Sequence, residues 1–152
     1  MKYGKMNVKR LKELQKSFKQ LEDPNQFLES CAKELASRLL AKVIKRTPVG
    51  QYPKGSGMVG GTLRRGWTSG KRNSASSYAD ELPITYKDGN YIIEIINPTE
   101  YASYVEFGHR TVNHKGWVRG QFMMTISEKE LQEIAPELLE KRLHDYLKGC
   151  FA

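Results

Sequence analysis

An α+β fold, α/β in the broad sense, with helices packed on a small antiparallel sheet, is what three features of the sequence predict. Apolar residues recur at helical spacing near both ends of the chain, a β-branched alternating run lies between them, and glycine-rich stretches separate these regions. With 152 residues and 39% hydrophobic content the chain is expected to build one core and form a single domain, 1–152.

Val8, Leu11, Leu14, Phe18 and Leu21 recur every three or four residues, while Lys5, Lys9, Lys12, Lys16 and Lys19 repeat on the opposite side. That pattern predicts an amphipathic helix over 6–21, one face packed and the other a basic stripe. Asp23-Pro24-Asn25-Gln26 supplies an N-cap, a first-turn proline and a capping-box glutamine. A second helix over 24–46 follows, with Leu28, Cys31, Ala32, Leu35, Leu39 and Val43 inward and Lys42, Lys45 and Arg46 near its negative end. Thr47-Pro48 stops it.

Seven of the 13 glycines fall from Gly50 to Gly70, and Lys71 to Ser77 is polar and small. Segments 50–61 and 70–81 are therefore expected to be irregular, flanking a short piece at Leu63–Thr68. Leu82, Ile84 and Tyr86 alternate with polar positions, Asp88-Gly89-Asn90 is a turn, and Tyr91 to Ile96 is rich in isoleucine, which predicts a hairpin over 82–97. Beyond Asn97-Pro98 a short helix should carry Tyr101, Tyr104 and Val105 and close at Gly108. Segment 109–120 reads equally as strand or loop. Ser127-Glu128-Lys129-Glu130 resembles a capping box ahead of a long helix over 127–148, which Pro136 should bend or briefly break.

Lys and Arg total 25 against 17 Asp and Glu, a formal net charge of +8. The excess sits in residues 1–54 (13 basic, 5 acidic), whereas residues 127–152 carry 4 basic and 6 acidic side chains. Such clustering suits a polyanion or an acidic protein surface, and it equally suits solubility. Cys31 and Cys150 match neither a metal spacing nor a disulfide framework and read as free thiols. No apolar run approaches the roughly 20 residues of a membrane span, and the N-terminus lacks a signal-peptide segment, so a soluble protein of the cytoplasm is expected.

The residues nearest to an enzyme-like cluster are Glu106, His109 and His114, with Arg110 and Lys115 close by. Their spacing fixes no shared rigid face, so they read as a turn-rich contact segment rather than a metal or acid–base site. No serine elbow, phosphate loop or cysteine–histidine pattern accompanies them, and no cofactor is implied. The lysine stripe can neutralise phosphates, but it lacks interleaved aromatic or arginine residues and reads first as a solvated face. Tyr101 and Tyr104 read as packing residues.

Three stretches carry a resemblance. Thr47-Pro48-Val49 leads through glycines to Gly61-Thr62-Leu63-Arg64-Arg65-Gly66-Trp67, with about ten residues inserted between them. Asn97 to Gly108 contains Tyr101-Ala102 and Tyr104-Val105-Glu106-Phe107-Gly108, and Gly116 to Met123 precedes the last helix with Gln121 where a proline is usual. Together they resemble a phage and prophage tail-component family, the tail-completion, tail-terminator and head–tail joining proteins, over roughly 30–148, with the first helix as an addition or a variable part. The matching positions are Pro48, Leu63, Tyr101, Tyr104, Glu106, Phe107 and Gly108. The resemblance implies a structural virion protein without chemistry, assembled in the host cytoplasm as a ring, typically of six copies, against tail-tube or head-connector proteins. A ring needs two different surfaces that meet, and the charge split can serve that end. Candidate contacts are the lysine stripe together with Gly55, Gly57, Gly60, Lys71 and Arg72 in the two irregular segments. A nucleic-acid-binding accessory protein using the stripe is the alternative, with DNA contact non-specific, and a hydrolase stands third.

Overall fold

The second helix of the chain carries much of the core and packs against two other helices. The computed structural model describes residues 8–20, 23–71 and 74–151. In chain order they form α1 (Val8–Gln20), α2 (Pro24–Arg46), α3 (Thr62–Gly66), α4 (Ala75–Glu81), β1 (Thr85–Lys87), β2 (Asn90–Ile92), α5 (Ala102–Phe107), β3 (Gly108–Arg110), β4 (Trp117–Arg119) and α6 (Met123–Phe151). The strands make two antiparallel pairs, β1 with β2 and β3 with β4, so the fold is α+β as expected.

α2 starts where Asp23 accepts a hydrogen bond from the Asn25 N–H at 2.8 Å and ends at Thr47, ahead of Pro48. Ala36, Leu40 and Val43 on α2 form the core with Leu63, Trp67, Ala79 and Met123, and Ile93, Ile95, Ala102 and Val105 close its margin. Burying a side chain such as Leu40 fully contributes about 1.5–3 kcal/mol. α4 packs on one part of α2 and α6 on another.

Segment 70–81 is not irregular throughout. Ser74 accepts from the Ser77 N–H at 3.1 Å and starts α4, whose Ala79 is fully buried. At the other end Lys33 Nζ donates to the carbonyls of Ala79, Asp80 and Leu82, joining the Leu82 N–H on the Ala79 carbonyl and closing the helix end. A seven-residue helix of small side chains shows no apolar period; its smallness lets it approach α2 closely, and tertiary contact stabilises it. Segment 50–61 contains neither helix nor strand, as expected.

The first hairpin is shorter than 82–97. Its ladder runs from Thr85↔Ile92 to Lys87↔Asn90, across a turn in which Asp88 and Gly89 both have positive φ. Residues 93–97 stay outside the ladder. Ile93 and Ile95 turn toward the core while Glu94 and Ile96 face out, so burial rather than pairing sets that alternation. Segment 109–120 resolves into a second hairpin, whose strands pair Gly108↔Arg119, His109↔Val118 and Arg110↔Trp117.

The last helix begins four residues before the expected capping box. Ser127 lies inside α6, fully buried, donating to the Met123 carbonyl at 2.6 Å. Helical structure continues unbroken through Pro136. α1 forms as expected and touches α6, yet Leu11 and Phe18 on its apolar face remain about half exposed, at 51% and 50%.

Candidate functional site

The residues of the first motif stretch tie one end of α2 to α3. Thr47 Oγ1 donates to the Val43 carbonyl at 2.6 Å and accepts from Trp67 Nε1 at 2.7 Å. Arg64 donates to the Thr47 carbonyl through Nε at 3.1 Å and Nη2 at 2.6 Å. Leu63 is buried beside them, whereas Pro48 is exposed. The arginine and tryptophan of this stretch therefore satisfy the carbonyl and hydroxyl left at the helix end. Asn97 extends the junction by donating to the Leu63 carbonyl at 2.8 Å, and a Cβ on Gly66 would collide with its side chain.

α5 divides its residues between two tasks. Glu106 is buried and accepts from the Met124 N–H (2.9 Å), the Thr125 N–H (2.9 Å) and Thr125 Oγ1 (2.7 Å). It is the N-terminal cap of α6, supplied by a distant segment, and it places a carboxylate at the positive end of the helix dipole. Gly108 ends α5 with φ of 84°, and a Cβ there would strike the Val118 carbonyl; Gly120 meets the Glu106 carbonyl just as closely.

Tyr101, Tyr104 and Phe107, three residues apart, point away from the core. Expected as packing residues, the tyrosines are instead exposed, Tyr104 at 59%, and Phe107 stands out at 62%. The half-buried positions of α5 are Ala102 and Val105. Next to them the glycine-rich segment presents Val49, Tyr52, Met58 and Val59, all exposed. The segment and α5 meet at an open pocket of about 240 Å³ lined by Pro48, Val49, Tyr52, Val59, Tyr101 and Val105. Exposed apolar patches are in general where proteins meet other macromolecules or ligands. Its apolar members in the loop were not singled out in the sequence, although Met58-Val59 amid glycines is the signal that points to them.

The other candidate contacts are scattered. Gly55 and Gly57 have positive φ in the exposed part of the loop, and Gly60 lies so close to the Gly50 carbonyl that a Cβ would collide with it. Lys9, Lys12, Lys16 and Lys19 are exposed along α1, while Lys5 and Arg72 lie outside the described residues. Lys71 pairs with Glu81 at 2.6 Å, and that hydrogen bond raises its pKa. It is thus bound to the helix that replaced the expected loop. Part of the charge split is also spent inside the subunit, where Lys42 (3.0 Å) and Arg46 (2.5 Å) both pair with Glu130, while Arg142 and Glu34 pair in the opposite sense at 2.8 Å.

Glu106, His109 and His114 do not converge. Glu106 faces α6, His109 Nδ1 lies 2.8 Å from the Arg110 carbonyl, and His114 sits in the β3–β4 connection with φ of 57°. Among the described residues no group of three or more His, Cys, Asp or Glu is placed to hold a metal ion. Cys31 is buried on α2.

Comparison with known protein families gives a match. The family model described as "Bacteriophage HK97-gp10, putative tail-component" matches residues 9–108. The match takes in nearly all of α1, set apart in the sequence as an addition or a variable part, together with the first two motif stretches; it ends at Gly108, before the third. No curated protein and no solved structure gives a match.

Proposed function

Because this chain belongs to the bacteriophage HK97-gp10 family of tail components, we propose that it completes the tail or joins it to the head as a ring of like subunits, typically six. The observation that carries the proposal is the division of labour within the matched region. Thr47, Leu63, Arg64, Trp67, Glu106 and Gly108 hold the fold together, while Tyr101, Tyr104, Phe107 and the apolar residues of the loop at 50–61 are left exposed, with Tyr101 lining a pocket shared with that loop. Leaving such groups exposed costs solvation free energy in the isolated subunit and is offset when a partner covers them. A ring supplies that partner, since each subunit presents one surface to a different surface of its neighbour, and the two open faces of the ring meet tail-tube and head-connector proteins. The role is structural and involves no reaction or cofactor. Assembly takes place in the host cytoplasm and the finished protein resides in the virion tail; no described helix is long and apolar enough to cross a membrane.

Deleting Gly55 to Gly60 tests the proposal. These residues are exposed apart from half-buried Gly60 at the edge, so the isolated chain keeps its circular dichroism and a cooperative melt. Electron microscopy and infectivity of particles made with the variant should show tails that fail to complete or to attach to heads. Normal numbers of infectious, head-attached particles would remove the loop from the mechanism.

A further inference from the structure

The β3–β4 hairpin carries a surface of different chemistry. Residues 112–119 are all exposed, and between Glu106 and Glu128 the chain has no acidic side chain but carries Arg110, Lys115 and Arg119 besides His109 and His114. The register determines how they are arranged, because directly opposed residues of an antiparallel pair share a face and successive residues alternate. Gly108↔Arg119 and Arg110↔Trp117 put both arginines and the indole on one face. His109↔Val118 lie on the other, where the imidazole meets the Tyr104 ring edge-on at 5.8 Å. Trp117, 64% exposed, reaches over Gly108, which offers no side chain of its own. Lys115 stands at the tip near Val112. None of the three cations makes an ion pair with another described residue.

We propose that this hairpin contacts the phosphate backbone of double-stranded DNA. A two-stranded β-ribbon fits the major groove, which is about 12 Å wide. Guanidinium groups on one face and an ammonium at the tip meet phosphates along the groove walls, the arginines as planar forks and the lysine as a point charge. The indole supplies a flat apolar wall against the sugars. A single aromatic ring favours duplex over single-stranded nucleic acid, whose successive bases stack on several rings. Binding is independent of sequence because the contacts are to phosphates, which are alike along the duplex. At the tip the Asn113 Oδ1 acceptor is engaged within the turn, by Thr111 Oγ1 at 2.6 Å and the Lys115 N–H at 3.2 Å. The lysine stripe on α1 lacks this combination of arginine and exposed aromatic.

The test uses the full chain and a fluorescent DNA duplex, with affinity read by anisotropy across a series of salt concentrations. The wild-type protein should bind at low salt. Combining Arg110→Ala, Lys115→Ala and Arg119→Ala should lower the slope of log affinity against log salt by about one per cation removed, without moving the melting temperature. Combining Lys12→Ala, Lys16→Ala and Lys19→Ala should leave most of the affinity in place. Absence of wild-type binding, an unchanged slope in the hairpin variant, or loss confined to the α1 variant would overturn the proposal. So would displacement of the duplex by polyglutamate at equal charge, which makes an acidic protein surface the occupant. Particle assembly plays no part in the measurement, so its result is separate from that of the loop deletion.

Discussion

Glu106 shows how a single side chain can belong to a motif for structural reasons. Its two oxygens receive three donors from the first turn of α6, and the residue is buried. Glu106→Ala leaves those donors without their acceptor and should lower the unfolding free energy by about 2–3 kcal/mol. Glu106→Gln keeps one acceptor oxygen and should cost about 1 kcal/mol. Urea denaturation measures both, and a neutral alanine variant would mean that water replaces the cap at no cost. The cap was not legible in the sequence, because nothing local links residue 106 to 124 and 125, and the serine pattern at 127 offered a local alternative. That serine is spent on its own helix instead. Gly108, by contrast, was legible as a helix-ending glycine, since positive φ after a helix is a local property. The close approach to Val118, which also forbids a Cβ there, was not.

Among the elements, those with their own apolar period were read from the sequence and those stabilised by neighbours were not. α2 has caps at both ends and its limits match those expected, but its buried row is Phe27, Cys31, Ala36, Leu40 and Val43. Of the expected row only Cys31 and Val43 are buried, Ala32, Leu35 and Leu39 are half-buried and Leu28 is exposed, because the core lies about one position round the helix. α4 depends on Ala79 fitting against α2 and on Lys33 closing its end, facts that lie 46 to 49 residues apart in the chain. The pairing of α2 with α6 makes a prediction about pH. Lys42, hydrogen-bonded at 3.0 Å, and the nearby Arg46 guanidinium hold the Glu130 carboxyl below the ordinary glutamate value of 4.5. Between the depressed value and 4.5 the unfolded chain binds more protons than the folded one, so acidification favours unfolding. The stabilisation is present above 4.5 and is lost as pH falls through the lower, folded value. Glu130→Gln should therefore flatten the dependence of the urea midpoint on pH across that range, where the wild-type midpoint falls on acidification. The pair is exposed enough for solvent to screen it, so raising the salt concentration should shrink the difference between the two proteins. Equal slopes for both at low salt would show that the pairing contributes nothing to the native state.

For the molecule as a whole, the same motif that ties the fold together also leaves aromatic side chains outside it, and the two roles separate by exposure. Leu40 has no exposed surface, so Leu40→Ala should cost about 2–5 kcal/mol in the isolated chain. Tyr104 and Phe107 are 59% and 62% exposed on the outer side of α5, and changing both to serine should alter stability by no more than about 0.5 kcal/mol each. In a particle the expectation reverses. If the α5 surface and the adjoining loop are covered by a neighbouring subunit or by the next ring, the double serine variant loses buried aromatic contact where interfaces are most sensitive to it. Tails should then assemble without closing or without joining heads, even though the purified protein melts like the wild type. Differential scanning calorimetry of the isolated chain and particle counts by electron microscopy, taken from the same variant, read the two sides. A large drop in melting temperature would return Tyr104 and Phe107 to a packing role. A normal melt together with normal particles would show that the exposed aromatic face touches no partner, leaving tail assembly to some other surface of the subunit.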